Sequence, residues 1–207
     1  VCMMKSGIVF FVEGDTEVEF YKQLMSEMHR RCPDQRFSVD QVVYKNLQGI
    51  TRYDKHALRV FNRDIKLRYT DCKFTVVLCY DTDVFEFTAN PPVNWIKVDK
   101  MLREAGAGRV IHLKAKHSIE DWFLLDLLGV CKYLNLPKST KISKGNGLKT
   151  LQELFRKKNR VYVKGTNVRD FIECLDVSKI MCCLCKELAP LCKILGVKCM
   201  TLDGRKK

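Results

Sequence analysis

The sequence lacks any hydrophobic run of the length that a membrane-spanning helix requires. Its longest apolar stretches, at 8–12 and 122–130, fall far short of the roughly 20 residues that cross a bilayer. Glu13 and Asp15 interrupt the first stretch at once, which is not the pattern of a secretory signal. We therefore expect a cytoplasmic protein with no membrane partner.

The chain also lacks familiar nucleotide and zinc motifs. No G-x-x-x-x-G-K-[ST] motif is present, so any ATP-driven regulation must come from another protein. Eleven cysteines occur, but the sequence does not contain two C-x-x-C pairs, and its last histidine is His117. We interpret the C-terminal cysteines as reduced thiols packed on helices, with a metal or cluster site as the alternative. They are Cys182, Cys183, Cys185, Cys192 and Cys199.

Acidic residues are scarce relative to basic ones. The chain has 37 Lys and Arg against 24 Asp and Glu, which gives a net charge of +13 and a pI of about 9.3. Such a surface attracts polyanions, of which nucleic acid is the commonest inside cells. An anionic membrane surface and a merely soluble basic protein are the alternatives.

Strand and helix patterns alternate in the first part of the chain, which predicts an α/β fold with a mostly parallel sheet flanked by helices. The second part is predicted to be helical, with one short strand at 160–163. We expect two units, 1–127 and a basic helical extension, 128–207, packed on it. The predicted strands are 7–12, 37–44, 74–80 and 109–116. The predicted helices are 16–30, 52–69, 95–106, 119–128, 148–159, 167–175 and 177–195.

Acidic residues follow two of the predicted strands directly. The first strand ends in F-V-E-G-D-T-E, with Glu13 and Glu17, and the third ends in Y-D-T-D, with Asp81 and Asp83. Sites in open parallel sheets lie beyond the carboxyl ends of the strands, and residues two apart in an extended segment face the same way. Gathered carboxylates repel each other unless a hard cation such as Mg²⁺ or Mn²⁺ lies among them. The structural alternative is that these acids are turn and helix-capping residues.

Three segments together resemble the TOPRIM domain, a Rossmann-like fold shared by topoisomerases, bacterial primases, recombination proteins and the overcoming-lysogenization-defect nucleases. They are V-F-F-V-E-G-D-T-E-V-E-F-Y-K-Q-L, V-V-L-C-Y-D-T-D and K-A-K-H-S-I-E-D-W-F-L-L-D. The chain is most similar to the small stand-alone TOPRIM nucleases of phage-defence and abortive-infection systems. The resemblance covers about Ile8 to Asp126.

The resemblance implies roles for individual acids. Glu13 would be the TOPRIM glutamate, a metal ligand or a general acid or base, and Asp81 and Asp83 the metal-binding pair. Glu17 and Glu120 would be further ligands, while we assign Asp121 to a capping box with Ser118. Two Mg²⁺ or Mn²⁺ ions held there would suit phosphodiester cleavage. Lys114 and Lys116, at the end of the fourth strand, are candidate catalytic residues that neutralise the reacting phosphate; ordinary surface lysines are the alternative.

A basic segment runs from 138 to 164, in which Glu153 is the only acid. Its spacing suits a groove that follows a nucleic-acid backbone, and Phe155 and Tyr162 are interleaved for stacking on bases, although a core position is the better interpretation of Phe155. The candidate nucleic-acid-binding residues are Lys138, Lys141, Lys144, Lys149, Arg156, Lys157, Lys158, Arg160 and Lys164.

These features predict a metal-dependent endonuclease that cuts RNA, such as tRNA, or DNA and acts as the toxic effector of an anti-phage system. An ATPase or other sensor protein encoded nearby is a candidate partner, and a second copy of the chain, in a homo-oligomer, is another. The alternatives are a housekeeping RNA-processing TOPRIM nuclease and a catalytically silent nucleic-acid-binding subunit of a defence complex.

Overall fold

A four-stranded sheet in the order β2-β1-β3-β4 forms the centre of the molecule, and all its neighbouring strands are parallel. The structure is a computed structural model that describes residues 4–31, 39–86, 92–142, 145–166 and 168–197. The predicted α/β class with a parallel sheet is confirmed. The strands are β1 (Lys5–Val12), β2 (Gln41–Asn46), β3 (Cys72–Asp81) and β4 (Arg109–Ala115).

Helices cover both faces of this sheet. Short 3₁₀ turns at Ile50–Arg52 and Leu124–Asp126 and a π-helical turn at Phe61–Lys66 accompany them. The α-helices are α1 (Asp15–Arg31), α2 (His56–Val60), α3 (Asp83–Glu86), α4 (Trp95–Glu104), α5 (Ile119–Phe123), α6 (Leu127–Tyr133), α7 (Gly147–Arg156), α8 (Arg169–Glu173), α9 (Val177–Cys183) and α10 (Ala189–Leu195).

The two faces carry separate hydrophobic cores because side chains alternate along each strand. Phe10 and Val77 face α1 and the C-terminal helices, so residues from the second part of the chain share a core with the sheet. Phe11 and Val76 face α2, the π-helical turn and α4. β1 and β3 are the central strands and are buried on both faces, which explains their unbroken apolar sequences.

Four predictions of secondary structure are wrong. The helix expected at 119–128 is divided by the 3₁₀ turn Leu124–Asp126, and its last part continues to Tyr133. The helix expected at 52–69 is divided into 3₁₀, α and π segments. The segment 160–163 forms no strand and is not part of the described sheet. The helix expected at 177–195 is two helices, because Pro190 lies in the first turn of α10, where its missing N–H costs no helical hydrogen bond.

The C-terminal cysteines differ in their surroundings. Cys192 is buried, whereas Cys183 is exposed and a free thiol, as is the half-buried Cys182. Cys185 is disulfide-bonded, so the expectation of reduced thiols is wrong at this residue, and Cys199 lies outside the described residues. Among the helices that the structure describes, none has both the length and the apolar character needed to cross a membrane.

Candidate functional site

The turn after β1 brings Glu13 to the carboxyl edge of the sheet and fixes it against a distant loop. A Cβ atom on Gly14 would lie 2.5 Å from the Cα of Gly165, so only glycine fits there. The N–H of Asp15 donates to the carbonyl of Gly165 (3.0 Å), and Oγ1 of Thr16 donates to the carbonyl of Thr166 (2.6 Å). Gly165 itself has φ +79°, which favours glycine. The G-D-T and G-T sequences therefore hold two loops together.

Asp81 ends β3 and is the most connected acid at this edge. It is 2% exposed, and its Oδ1 accepts the N–H of Ile119 at 2.9 Å. Its Oδ2 accepts a hydrogen bond from Nζ of Lys164, with which it forms an ion pair. Its own N–H donates to Oε1 of Glu13 at 3.0 Å. Asp81 thus joins β1, β3, α5 and the loop that contains Lys164.

Asp83 is held differently from what the sequence pattern indicated. The chain turns at Thr82, and Asp83 begins α3, so the two aspartates do not share an extended segment. The N–H groups of Thr82 and Asp83 both donate to the carbonyl of His117 (3.1 and 3.0 Å), and the N–H of His117 donates to Oγ1 of Thr82 (2.9 Å). The expectation that Asp81 and Asp83 face one ion because they share an extended segment is therefore wrong, although both residues lie at this edge.

Glu120 lies in the first turn of α5 and is completely buried. Its Oε1 accepts a hydrogen bond from the hydroxyl of Tyr162 at 3.0 Å. The predicted capping box next to it is present, with the N–H of Ser118 donating to Oδ2 of Asp121 at 3.2 Å. The capping role of Asp121 is confirmed. The charge of Glu120 interacts with those of Glu13 and Asp81.

Three carboxylate oxygens of this site are buried and accept no hydrogen bond from a described residue. They belong to Glu17 (Oε2), Asp83 (Oδ1) and Glu120 (Oε2). A buried carboxylate oxygen without a partner is costly. We call Glu13, Glu17, Asp81, Asp83 and Glu120 the acidic cluster.

Burial makes the full charge of the acidic cluster unfavourable. It raises the pKa of Glu17 to about 7 and is the main cause of a raised pKa at Glu13 and of one well above the ordinary value at Asp81. Burial acts to lower the pKa of Lys164, but its charge interaction and hydrogen bond with Asp81 outweigh this and raise it. A single ammonium group offsets only part of the charge, so protons or another cation must supply the remainder.

The donor set of the acidic cluster fits a hard divalent cation, since it consists of carboxylates and includes oxygens without hydrogen-bond partners. Glu13, Glu17, Asp81, Asp83 and Glu120 are the residues that would hold it. Within the described part of the chain, however, no three His, Cys, Asp or Glu side chains are already arranged as a metal-binding group.

Neither candidate catalytic lysine near the end of β4 forms an ion pair with a described acid of the cluster, whereas Lys164 does. Lys114 pairs in register with Tyr80, so it lies on the opposite face of the sheet from Asp81, which pairs with Ala115. Lys116 follows the strand and is exposed. The lysine that contacts an acid of the cluster is Lys164.

The candidate nucleic-acid-binding residues are mostly on the surface. Arg160 is exposed, with its guanidinium carbon 4.9 Å from the ring centroid of Tyr133. Phe155 and Tyr162 are buried, so stacking of bases on Tyr162 is not possible in this structure. Lys144 lies outside the described residues, and Lys164 is half-buried in the acidic cluster. The exposed members are Lys138, Lys141, Lys149, Arg156, Lys157, Lys158 and Arg160.

Sequence reasoning did not assign Lys164 and Tyr162 to the acidic cluster. Both come from the segment after α7, far along the chain from Glu13 and Asp81. The alternation in V-Y-V-K gave a signal, because Tyr162 is buried between the exposed Val161 and Val163. The Gly165–Thr166 pair gave another, since it forms the contact with the turn at Gly14.

Comparisons of the chain with protein-family models, with curated proteins and with solved structures found no match in any of the three.

Proposed function

We propose that this protein is a metal-dependent endonuclease that cleaves phosphodiester bonds of nucleic acid at the acidic cluster. The observation that carries the proposal is the set of buried carboxylate oxygens without hydrogen-bond partners at the carboxyl edge of a parallel sheet. These acids gather at one edge of the sheet in a chain whose net charge is +13. Cation binding would offset the cost of burying them.

The residues of the chain divide the work. Mg²⁺ or Mn²⁺ at the cluster would supply Lewis-acid stabilisation and an activated water. Asp81 is held in place by Lys164 and by the N–H of Ile119, so it is oriented before any ligand arrives. Tyr162 fixes one oxygen of Glu120 and leaves the other without a partner. Glu13, whose pKa burial raises, is the candidate proton carrier.

Lys164 is the cation that the chain itself supplies to the site. Its ammonium group neutralises part of the acidic cluster and would contact a phosphate oxygen of the substrate. We therefore propose Lys164, ahead of Lys114 and Lys116, as the basic residue that stabilises charge on the reacting phosphate. The exposed basic residues from Lys138 to Arg160 would bind the backbone of RNA or DNA beside it.

The biological role that we propose is that of a toxic effector in anti-phage defence, regulated by an ATPase or other sensor protein. A housekeeping RNA-processing nuclease has the same chemistry. A catalytically silent nucleic-acid-binding subunit is favoured by one observation, the ion pair in which Lys164 already neutralises Asp81. Toxicity on expression distinguishes the effector from the housekeeping enzyme.

Cleavage assays test the proposed chemistry. The purified protein is incubated with transfer RNA, ribosomal RNA and duplex DNA, with Mg²⁺, with Mn²⁺ and with a chelator. We expect at least one substrate to be cut with a divalent cation, none with the chelator, and none by Glu13→Gln. Absence of cleavage under every condition contradicts the stand-alone enzyme and supports the silent subunit.

A further inference from the structure

A row of basic side chains lies on the exposed side of the helical segment at 50–66. Successive members are three or four positions apart, and each is exposed although the segment combines a 3₁₀ turn, α2 and a π-helical turn. The opposite side packs on the sheet through residues such as Tyr53, Phe61 and Ile65. The members of this basic row are Arg52, Lys55, Arg59, Arg63 and Lys66, all exposed.

The charge of the basic row is not cancelled by neighbouring acids. None of its members forms an ion pair with a carboxylate that the structure describes. The hydrogen-bond partners of Arg52 and Lys66 are neutral: Arg52 donates to Gln48 (2.8 Å), and Lys66 donates to the carbonyl of Ala105 (2.6 Å). Burial lowers the pKa of His56, and Arg59 and Arg52 lower it further, against an opposing effect of Asp64.

One end of the basic row is fastened to the acidic cluster. The N–H of Leu47 donates to the carbonyl of Val12 (2.8 Å), and the N–H of Gly49 donates to the carbonyl of Glu13 (3.0 Å). The 3₁₀ turn that contains Arg52 follows directly. The other end, at Lys66, contacts Ala105, the residue after α4. The row therefore runs from the edge of the acidic cluster along the sheet.

We propose that the basic row binds the phosphate backbone of the nucleic-acid substrate on one side of the cleavage site. This inference rests on the proposed nuclease function. The row spans roughly 20 Å at the rise of a helix, which corresponds to about six base pairs of a duplex. It lies on the α2 and α4 face, whereas α7, part of the other basic segment, packs against α5 on the opposite face. Substrate would thus cross the acidic cluster between two basic surfaces.

Binding measurements on two matched triple variants test the basic row. The test variant, Lys55→Gln/Arg59→Gln/Arg63→Gln, removes three charges of the row. The control, Lys22→Gln/Arg30→Gln/Arg169→Gln, removes three exposed charges that are paired with carboxylates on α1 and α8. Affinity for a duplex DNA of about 20 base pairs and for a single-stranded RNA is measured against salt concentration, in chelator. Vesicles rich in phosphatidylserine serve as the competing polyanion.

We expect the salt slope of the test variant to fall by about 2 to 3 relative to wild type, and that of the control by less than 1. Equal slopes for the two variants would overturn the proposal. So would lost binding to vesicles with unchanged binding to nucleic acid, which would assign the row to a membrane. Binding is measured without divalent cations, so its result does not depend on cleavage. If the protein cuts no substrate but the two salt slopes differ as expected, the nuclease proposal is contradicted and the binding of nucleic acid by the basic row is supported.

Discussion

Two buried carboxylate sites in this molecule are built in opposite ways. Asp126, which ends the 3₁₀ turn before α6, is 4% exposed and has a partner for each oxygen. Its Oδ1 accepts Nζ of Lys179 at 3.1 Å, and its Oδ2 accepts the N–H of Asp176 at 2.8 Å. Gly129 leaves room for it, since a Cβ there would lie 2.1 Å from Oδ2. The acidic cluster instead combines five acids with a single contacting lysine, and several of its buried carboxylate oxygens have no hydrogen-bond partner among the described residues.

This difference separates a structural acid from a functional one. A buried carboxylate whose charge is balanced by one lysine fixes neighbouring elements, here the 3₁₀ turn and α9. A group of buried carboxylates with too little positive charge destabilises the fold, and such a cost is characteristic of sites that bind ligands. We therefore expect substitutions at the two sites to have opposite consequences for stability and activity.

The largest effect should come from a matched pair of substitutions, Asp81→Asn and Asp126→Asn. Asp81→Asn removes charge that a hard cation requires, so cleavage should fall at least about 100-fold. It also loses the ion pair with Lys164, but it relieves repulsion from Glu13 and Glu120, so the free energy of unfolding should change little. Asp126→Asn breaks a satisfied pair and should cost about 2 kcal/mol of stability, with cleavage per folded molecule unchanged. Chemical unfolding and cleavage rates are measured on the same preparations.

The opposite pattern would refute the distinction between the two sites. If Asp81→Asn unfolds the protein and cleavage by the folded fraction is normal, Asp81 is a structural cap. If Asp126→Asn abolishes cleavage without loss of stability, the function lies elsewhere than the acidic cluster.

The next largest effect concerns the pH dependence of stability without metal. Burial raises the pKa of Glu17 from its ordinary 4.5 to about 7. Between these values the folded chain binds more protons at this residue than the unfolded chain, so the free energy of unfolding should decrease as the pH rises. The part of this loss that belongs to Glu17 should reach about 3 kcal/mol near pH 8, and Glu17→Gln should remove that part.

Denaturant unfolding from pH 4.5 to 8 in chelator measures this dependence. Glu19→Gln, on the same helix but paired with Lys22, is the control and should keep the wild-type pH profile. If Glu17→Gln keeps the wild-type pH profile, folding does not raise the pKa of Glu17.

The smallest effect should come from Tyr162→Phe. The substitution keeps the buried ring but removes the hydrogen bond to Glu120, leaving a second oxygen of that carboxylate without a partner. We expect the free energy of unfolding to fall by about 1 to 2 kcal/mol in chelator and by less with Mn²⁺, because the cation would stabilise the carboxylate of Glu120 that has lost its partner. Tyr133→Phe, on a neighbouring ring, should show no such dependence on Mn²⁺. Equal losses with and without Mn²⁺ would indicate that Glu120 does not contact the cation.

Much of the fold was predictable because it depends on local patterns. The unbroken apolar sequences of β1 and β3 predicted buried parallel strands, and the acids that follow them predicted at which edge of the sheet the acidic cluster lies. Ser118 and Asp121 predicted the start of α5. The contact of Lys164 with Asp81 was not predictable, because it depends on how the chain after α7 returns to the sheet. Nor did the pattern D-T-D show that Asp83 would begin a helix and lose its alignment with Asp81.

Titration of Mn²⁺ into the metal-free protein by calorimetry is the most direct test of the claim that the acidic cluster is a cation site. Wild type, Asp81→Asn and Asp126→Asn are compared at one pH, and thermal unfolding is recorded for each with and without Mn²⁺. We expect Mn²⁺ to bind to wild type and Asp126→Asn and to raise their unfolding midpoints by mass action, and to do so far less for Asp81→Asn. Identical binding by all three proteins, or none by wild type, would contradict the account.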